Sequence, residues 1–219
     1  MRRLLLASVV VAALAGAASA TVVLRCGVDE LTDLCDGAVV GTVSAKSVVL
    51  DREHGRIWTE YRVRVDETWV GAEATDVTVS VPGGEAAGVI QDFEGGATFE
   101  KGDRAAVFVC RRDDGRLLVL GEAQGAFKVK RDAATGADVC ENSVDGLAFV
   151  DRAGKKADGA ATRMTLDDLR TKVADARKRR EERERLAPEA AERKLAARRK
   201  SAERHAEMAR GKPGGPPAE

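Results

Sequence analysis

Aromatic rings are scarce in this 219-residue chain, which has two Trp, one Tyr and five Phe. All of them fall between Trp58 and Phe149. Rings supply much of a core's buried area. The core is therefore expected ahead of residue 150, and the C-terminal stretch lacks the material for a second one. Histidine is scarcer still, with only His54 and His205. His54 falls in a polar turn and His205 in a charged tail. Neither reads as the buried, oriented base of a Ser-His-Asp triad. The four cysteines are Cys26, Cys35, Cys110 and Cys140, with no Cys-x-x-Cys pair and no histidine at ligand spacing. No metal site and no cofactor are expected. Pro82-Gly83-Gly84 and Gly95-Gly96 lack the Gly-x-Gly-x-x-Gly spacing of a phosphate loop. The carboxylate pairs Asp66-Glu67, Asp113-Asp114 and Asp167-Asp168 fall at a strand end, a turn and a helix start. Acids serve solubility and capping there, and a glycosidase pair is not the natural reading.

What the chain does have begins at its first residues. Arg2-Arg3, an apolar run from Leu4 to Ala17, and Ala18-Ser19-Ala20 match a secretory signal peptide over residues 1–20. The run is too short for a membrane anchor. Cleavage after Ala20 leaves Thr21 first and no membrane span, in a periplasmic or extracellular compartment. Charge is unevenly placed. Residues 21–164 carry 18 Lys+Arg against 25 Asp+Glu, and residues 165–219 carry 16 against 11. A mildly acidic body is followed by a basic end. An even cysteine count in an exported chain predicts two disulfides.

Strand signals dominate the body. Residues 21–24 and 38–43 are short β-like runs, the second extending towards Leu50, and residues 28–35 suit a short helix between them. Ile57, Thr59, Tyr61, Val63 and Val65 alternate with Trp58, Glu60, Arg62, Arg64 and Asp66, which predicts a strand wetted on one face. Val77, Val79 and Val81 repeat the pattern until Pro82 stops it. Residues 83–103 are Gly-rich and irregular, with Val89, Ile90, Phe93 and Phe99 as expected anchors. Strands follow at 105–110, 117–120, 127–130 and 137–143, the first two joined by a hairpin turn at Asp113-Asp114-Gly115. Short strands at this spacing predict a small barrel or sandwich over residues 21–150. Residues 151–164 read as a linker. A charged helix over 165–210, single or in a coiled coil, is capped by Thr165 and carries one apolar stripe, Leu166, Leu169, Val173 and Ala176. The stripe fails after Ala176, so the rest of that helix is expected to stay solvated. Residues 211–219 read as a disordered end.

Cys35-Asp36-Gly37-Ala38-Val39-Val40-Gly41-Thr42-Val43 resembles the approach to the first barrel strand of netrin-like modules, which include the tissue inhibitors of metalloproteinases. Tyr61 to Val65 resembles their second strand, and Thr68-Trp69-Val70-Gly71 the turn after it. Gly102 to Val109 with Asp114 to Leu117 resembles their later hairpin. The chain is also similar to secreted bacterial proteins with the same layout. The resemblance covers about residues 26–130 and implies a mainly β fold, a small OB-like antiparallel barrel followed by the charged α-helix. It also implies pairing Cys35 with Cys140 and Cys26 with Cys110. Independently, a helix over 28–35 disfavours Cys26–Cys35, since about 1.5 Å rise per residue holds the two Cα atoms beyond the roughly 7 Å limit of a bridge. The family's inhibitory chemistry is not implied, because it needs a cysteine at the mature N-terminus, where this chain has Thr21.

One binding surface is suggested. Trp58 is out of phase with its strand's apolar face and shares the outer face with Arg62 and Arg64. The three would form a basic, aromatic strip. The simpler reading is that a loop or the C-terminal helix covers Trp58. The interleaved signs of Arg177 to Arg185 argue against a nucleic-acid arm. The expectation is an exported, non-catalytic binding or interaction module, with another envelope or secreted protein as partner. The alternatives are a hydrolase with an unrecognised site and a spacer acting through its long helix.

Overall fold

The computed structural model describes residues 21–186. The expected leader, the helix beyond residue 186, His205 and the expected disordered end lie outside the described residues. The elements are β1 (Thr21–Leu24), α1 (Val28–Leu34), β2 (Gly37–Asp51), β3 (Arg56–Val70), β4 (Asp76–Pro82), β5 (Gly84–Ala86), β6 (Val89–Gln91), β7 (Arg104–Arg111), β8 (Leu117–Val119), β9 (Ala126–Arg131), β10 (Asp138–Asn142), β11 (Leu147–Val150), β12 (Arg163–Thr165) and α2 (Leu166–Leu186).

The fold is mainly β, a partly closed barrel followed by a charged helix. β7 pairs with β2, β2 with β3, β3 with β4, β4 with β8, and β8 returns to β7. Every pairing in that ring is antiparallel except β4–β8. The parallel seam is two residue pairs long, Val79 with Leu117 and Ser80 with Leu118, so closure is partial. β9, β10 and β12 extend the sheet beyond the barrel from β7. β2 is an inner strand, paired with β3 along one edge and with β7 along the other, with register shifts on either side of Gly41. A Cβ at Gly41 would sit 2.2 Å from the Arg64 carbonyl oxygen, so only glycine fits that approach.

Two apolar clusters share the sheet. Inside the barrel lie Val43, Tyr61, Val63, Val79, Phe99, Ala105, Val107 and Val109. Between the sheet and the two helices lie Val40, Trp69, Ala106, Phe108, Phe127, Leu31, Leu166, Leu169 and Val173. β7 contributes to both, which is why Ala105 to Val109 is unbroken apolar sequence while β3 alternates with charge.

Several expectations need correction. The stretch expected as a linker over 151–164 is integrated into the fold: Lys156 bridges to Val150, and β12 pairs with β10. The region 83–103 contains a hairpin, β5–β6. Of its expected anchors, Phe99 is fully buried, but Val89, Ile90 and Phe93 are exposed. They sit on and beside a projecting hairpin, where no second layer covers them. β11 has no local signal, because its partner, β1, is more than a hundred residues away and pairs in parallel.

The helix behaves as expected at its start. The Asp168 amide donates to Thr165 Oγ1 at 3.0 Å, and all four stripe residues are buried. It departs from expectation after Ala176. Arg177 donates to the Trp69 carbonyl, and Arg180 to the carbonyls of Thr32 and Cys35. Arg179 pairs with Asp29 and Arg183 with Asp33. The second half of α2 therefore docks through charge rather than through apolar contact. Arg180 and Arg183 sit at the carbonyl end of α1, where cations complement the helix dipole, while Arg179 reaches Asp29 in its first turn.

Candidate functional site

The expected strip of Trp58, Arg62 and Arg64 is not assembled. Arg62 and Arg64 are exposed, but Trp58 is only 3% exposed. It lies between Val49 and Pro82 on the neighbouring strands. Two guanidinium groups from the β7–β8 hairpin cover its ring, Arg116 at 5.1 Å and Arg112 at 5.7 Å from the centroid. Cation–π attraction makes a good lid of arginine. The lid costs the indole its hydrogen bond, since Trp58 Nε1 is buried with no partner among the described residues. Trp69 is also buried, but its Nε1 donates to Glu67 at 3.0 Å. Arg170 grips the same Glu67 at 2.7 and 2.9 Å. That grip, helped by Trp69, holds the Glu67 carboxyl below the usual glutamate range despite its burial.

The cysteines do not pair. Cys26, Cys35 and Cys140 are buried free thiols and Cys110 is a half-buried one. The expected bridges Cys35–Cys140 and Cys26–Cys110 are therefore not formed in this structure. Two of the sulfurs make local hydrogen bonds. Cys35 Sγ donates to the Thr32 carbonyl at 3.4 Å, and Cys140 Sγ to the Met164 carbonyl at 3.4 Å. Burial pushes Cys35 and Cys140 up to about 11 and raises Cys26 and Cys110 as well. A raised thiol is a poor nucleophile and a poor metal ligand. Among the described residues no cluster of His, Cys, Asp or Glu has the geometry to hold a metal ion.

His54 does more than occupy a turn. Its Nδ1 lies 3.0 Å from Asp51, whose carboxylate also accepts the His54 amide. Burial opposes ionisation of Asp51, but His54 and Arg116 outweigh it and hold the carboxyl below its ordinary value. This Asp–His pair edges an open groove shared with Ser80, Arg111 and Arg116. No hydroxyl or thiol lies within hydrogen-bond reach of His54 among the described residues, so a base is present without a nucleophile. The acidic pairs have structural partners. Asp168 accepts the Thr165 hydroxyl at the start of α2, Asp114 organises the β7–β8 turn, and Glu67 anchors Arg170.

A more enclosed concavity lies elsewhere, on the exposed face of β9 and β10. It is a cleft of about 700 Å³, within the range of small-ligand sites. Strand alternation builds its floor. Ala126, Lys128 and Lys130 project from one face of β9 beside Val139 and Glu141 of β10, while Phe127 and Val129 turn to the helix-covered core. The segment 96–99 forms one wall and residues 143–145 another. Behind the floor two buried amides fasten the frame. Asn142 donates to the Gln124 carbonyl at 3.0 Å and accepts the Thr162 amide at 2.7 Å. Gln124 accepts the Cys26 amide at 2.9 Å and donates to the Leu24 carbonyl at 3.0 Å. The lysine alternation is visible in the sequence. Nothing local shows that segment 96–99 folds back to face it.

Compared with protein-family models the chain matches none, and no curated protein matches it.

Proposed function

We propose that this protein is an exported, non-catalytic binding module that takes its ligand in the cleft over β9 and β10. The leader-like residues 1–20 support export. The cleft itself carries the binding reading. It is open, polar at its rim, and built on a ladder whose frame is fastened by the Asn142 and Gln124 amides. The scaffold would be that of netrin-like modules without their zinc-chelating N-terminus.

Hydrogen exchange tests this. The small-molecule fraction of the compartment into which the protein is exported should slow exchange at residues 96–99, 126–131 and 139–145. It should leave α2 unaffected, and the bound compound should be recovered unchanged. Slowed exchange along α2 alone would favour the spacer reading. The hydrolase reading is favoured by one observation, the Asp51–His54 pair in its open groove. Consumption of an extract component that stops in His54→Ala would establish it in place of ours.

A further inference from the structure

We propose that the cleft accepts a small anion, a carboxylate or phosphate group on a short body, at the end marked by Lys130. This inference rests on the reading of the cleft as a binding site. Four cations line the cleft, Lys128, Lys130, Arg131 and Arg163, against three carboxylates, Asp132, Glu141 and Asp145. Most are already matched. Lys128 faces Asp103 at 3.0 Å, Arg131 faces Asp138 at 3.2 Å, and Arg163 bridges Asp132 and Glu141 at 3.7 and 3.5 Å. Asp132 is further tied down by the Ala134 and Thr135 amides and the Thr135 hydroxyl. Lys130 has no ion pair among the described residues.

Position along the ladder separates the remaining charges. Lys130 stands opposite Val139, and the turn holding Asp145 begins beyond Asn142, at the other end of β10. Three residues of strand separate Val139 from Asn142, a span of about 10 Å. That is close to one Debye length at physiological salt. An anion at Lys130 therefore escapes most of the repulsion from Asp145. Lys128 and Arg163, near the middle of the ladder, are held by Asp103, Asp132 and Glu141, so the attraction at this end rests on Lys130. The body of the ligand would run over Val139 and the small side chains Ala133 and Ala161 that also line this cleft.

The test is an amide chemical-shift titration of the full chain with matched probes. Succinate, butane-1,4-diol and putrescine share a four-carbon length and differ in charge, and inorganic phosphate forms a separate arm. Succinate, phosphate or both should shift residues 128–132 and 139 saturably. The affinity should fall at least tenfold in Lys130→Met, recover in Lys130→Arg, and weaken as salt is raised. Which anion binds more tightly decides between carboxylate and phosphate. Unchanged anion binding in Lys130→Met would overturn the assignment. If the diol or putrescine moves these amides and neither anion does, the anion proposal fails while the cleft remains a binding site. If no probe at tens of millimolar moves any cleft amide, the anion proposal fails and the binding reading fails with it.

Discussion

Glu122 combines two unfavourable features. Its backbone is left-handed, with φ +57°, a conformation that costs a non-glycine residue roughly 1–2 kcal/mol. Its carboxyl is also taken partly out of water, and that burial raises its pKa. A raised carboxyl makes the folded state hold its proton longer than the unfolded chain does. Its contribution to stability is therefore greatest below the unfolded value of about 4.3 and falls as pH rises through the folded value. Glu122→Gln should raise the melting midpoint at pH 7 and leave it nearly unchanged at pH 4. Glu122→Gly should add relief of the backbone, up to roughly 1 kcal/mol less the entropy glycine brings to the unfolded chain. Thermal melts at the two pH values check both. A fall for Glu122→Gln at pH 7 would mean that the carboxylate holds a partner and that its burial is repaid. The sequence around Leu120-Gly121-Glu122 shows a turn and nothing of this strain. Strain of this kind arises only when β8 and β9 are both anchored and the connection between them has to fit.

At the scale of the element, α2 has two modes of attachment. Leu169 is fully buried against the sheet, and Leu169→Asp should cost on the order of 2 kcal/mol or more through an unpaired buried charge. The charged half is worth less per contact. Exposed ion pairs such as Arg179–Asp29 and Arg183–Asp33 contribute roughly 0.2–1 kcal/mol each. Truncation after Arg177 should therefore lower stability by about 1–2 kcal/mol in denaturant melts, and exchange protection should reach as far as Arg183. An unchanged midpoint would show that these pairs contribute nothing. The apolar stripe was legible because helical period and hydrophobicity are local properties. The arginine contacts were not, because interleaved Arg and Glu read equally well as a solvated helix. What selects docking is the placement of Asp29 and Asp33 on α1, four residues apart and matched to Arg179 and Arg183.

At the scale of the whole molecule, the thiols report on packing. All four have raised pKa values and three are buried. Iodoacetamide at pH 7.5 should modify Cys110 first and the other three only as the protein unfolds. Peptide mapping after non-reducing digestion should find all four as free thiols. A Cys35–Cys140 or Cys26–Cys110 peptide would instead restore the bridges that the netrin-like resemblance implies. Cysteine parity and a leader-like start carry no geometry, and a bridge needs two sulfurs in register and not merely an even count.

The sequence by itself determined the class of fold, most of the strands from β2 to β10, the short α1, and the cap and apolar stripe of α2. These follow from periods of two and 3.6 residues and from turn chemistry, which act over a few neighbours. Tertiary structure alone decided what faces what. It closed the ring through a two-residue parallel seam and joined β1 to β11 across the length of the body. It also brought Arg112 and Arg116 over Trp58 and laid segment 96–99 beside Lys128 and Lys130. Each of these depends on contacts between distant residues, where a cation can as easily meet water, a carboxylate or an indole. The cleft belongs to that second group. Its lysines are written in the sequence, but the concavity around them exists only once β9, β10 and the 96–99 wall are packed together.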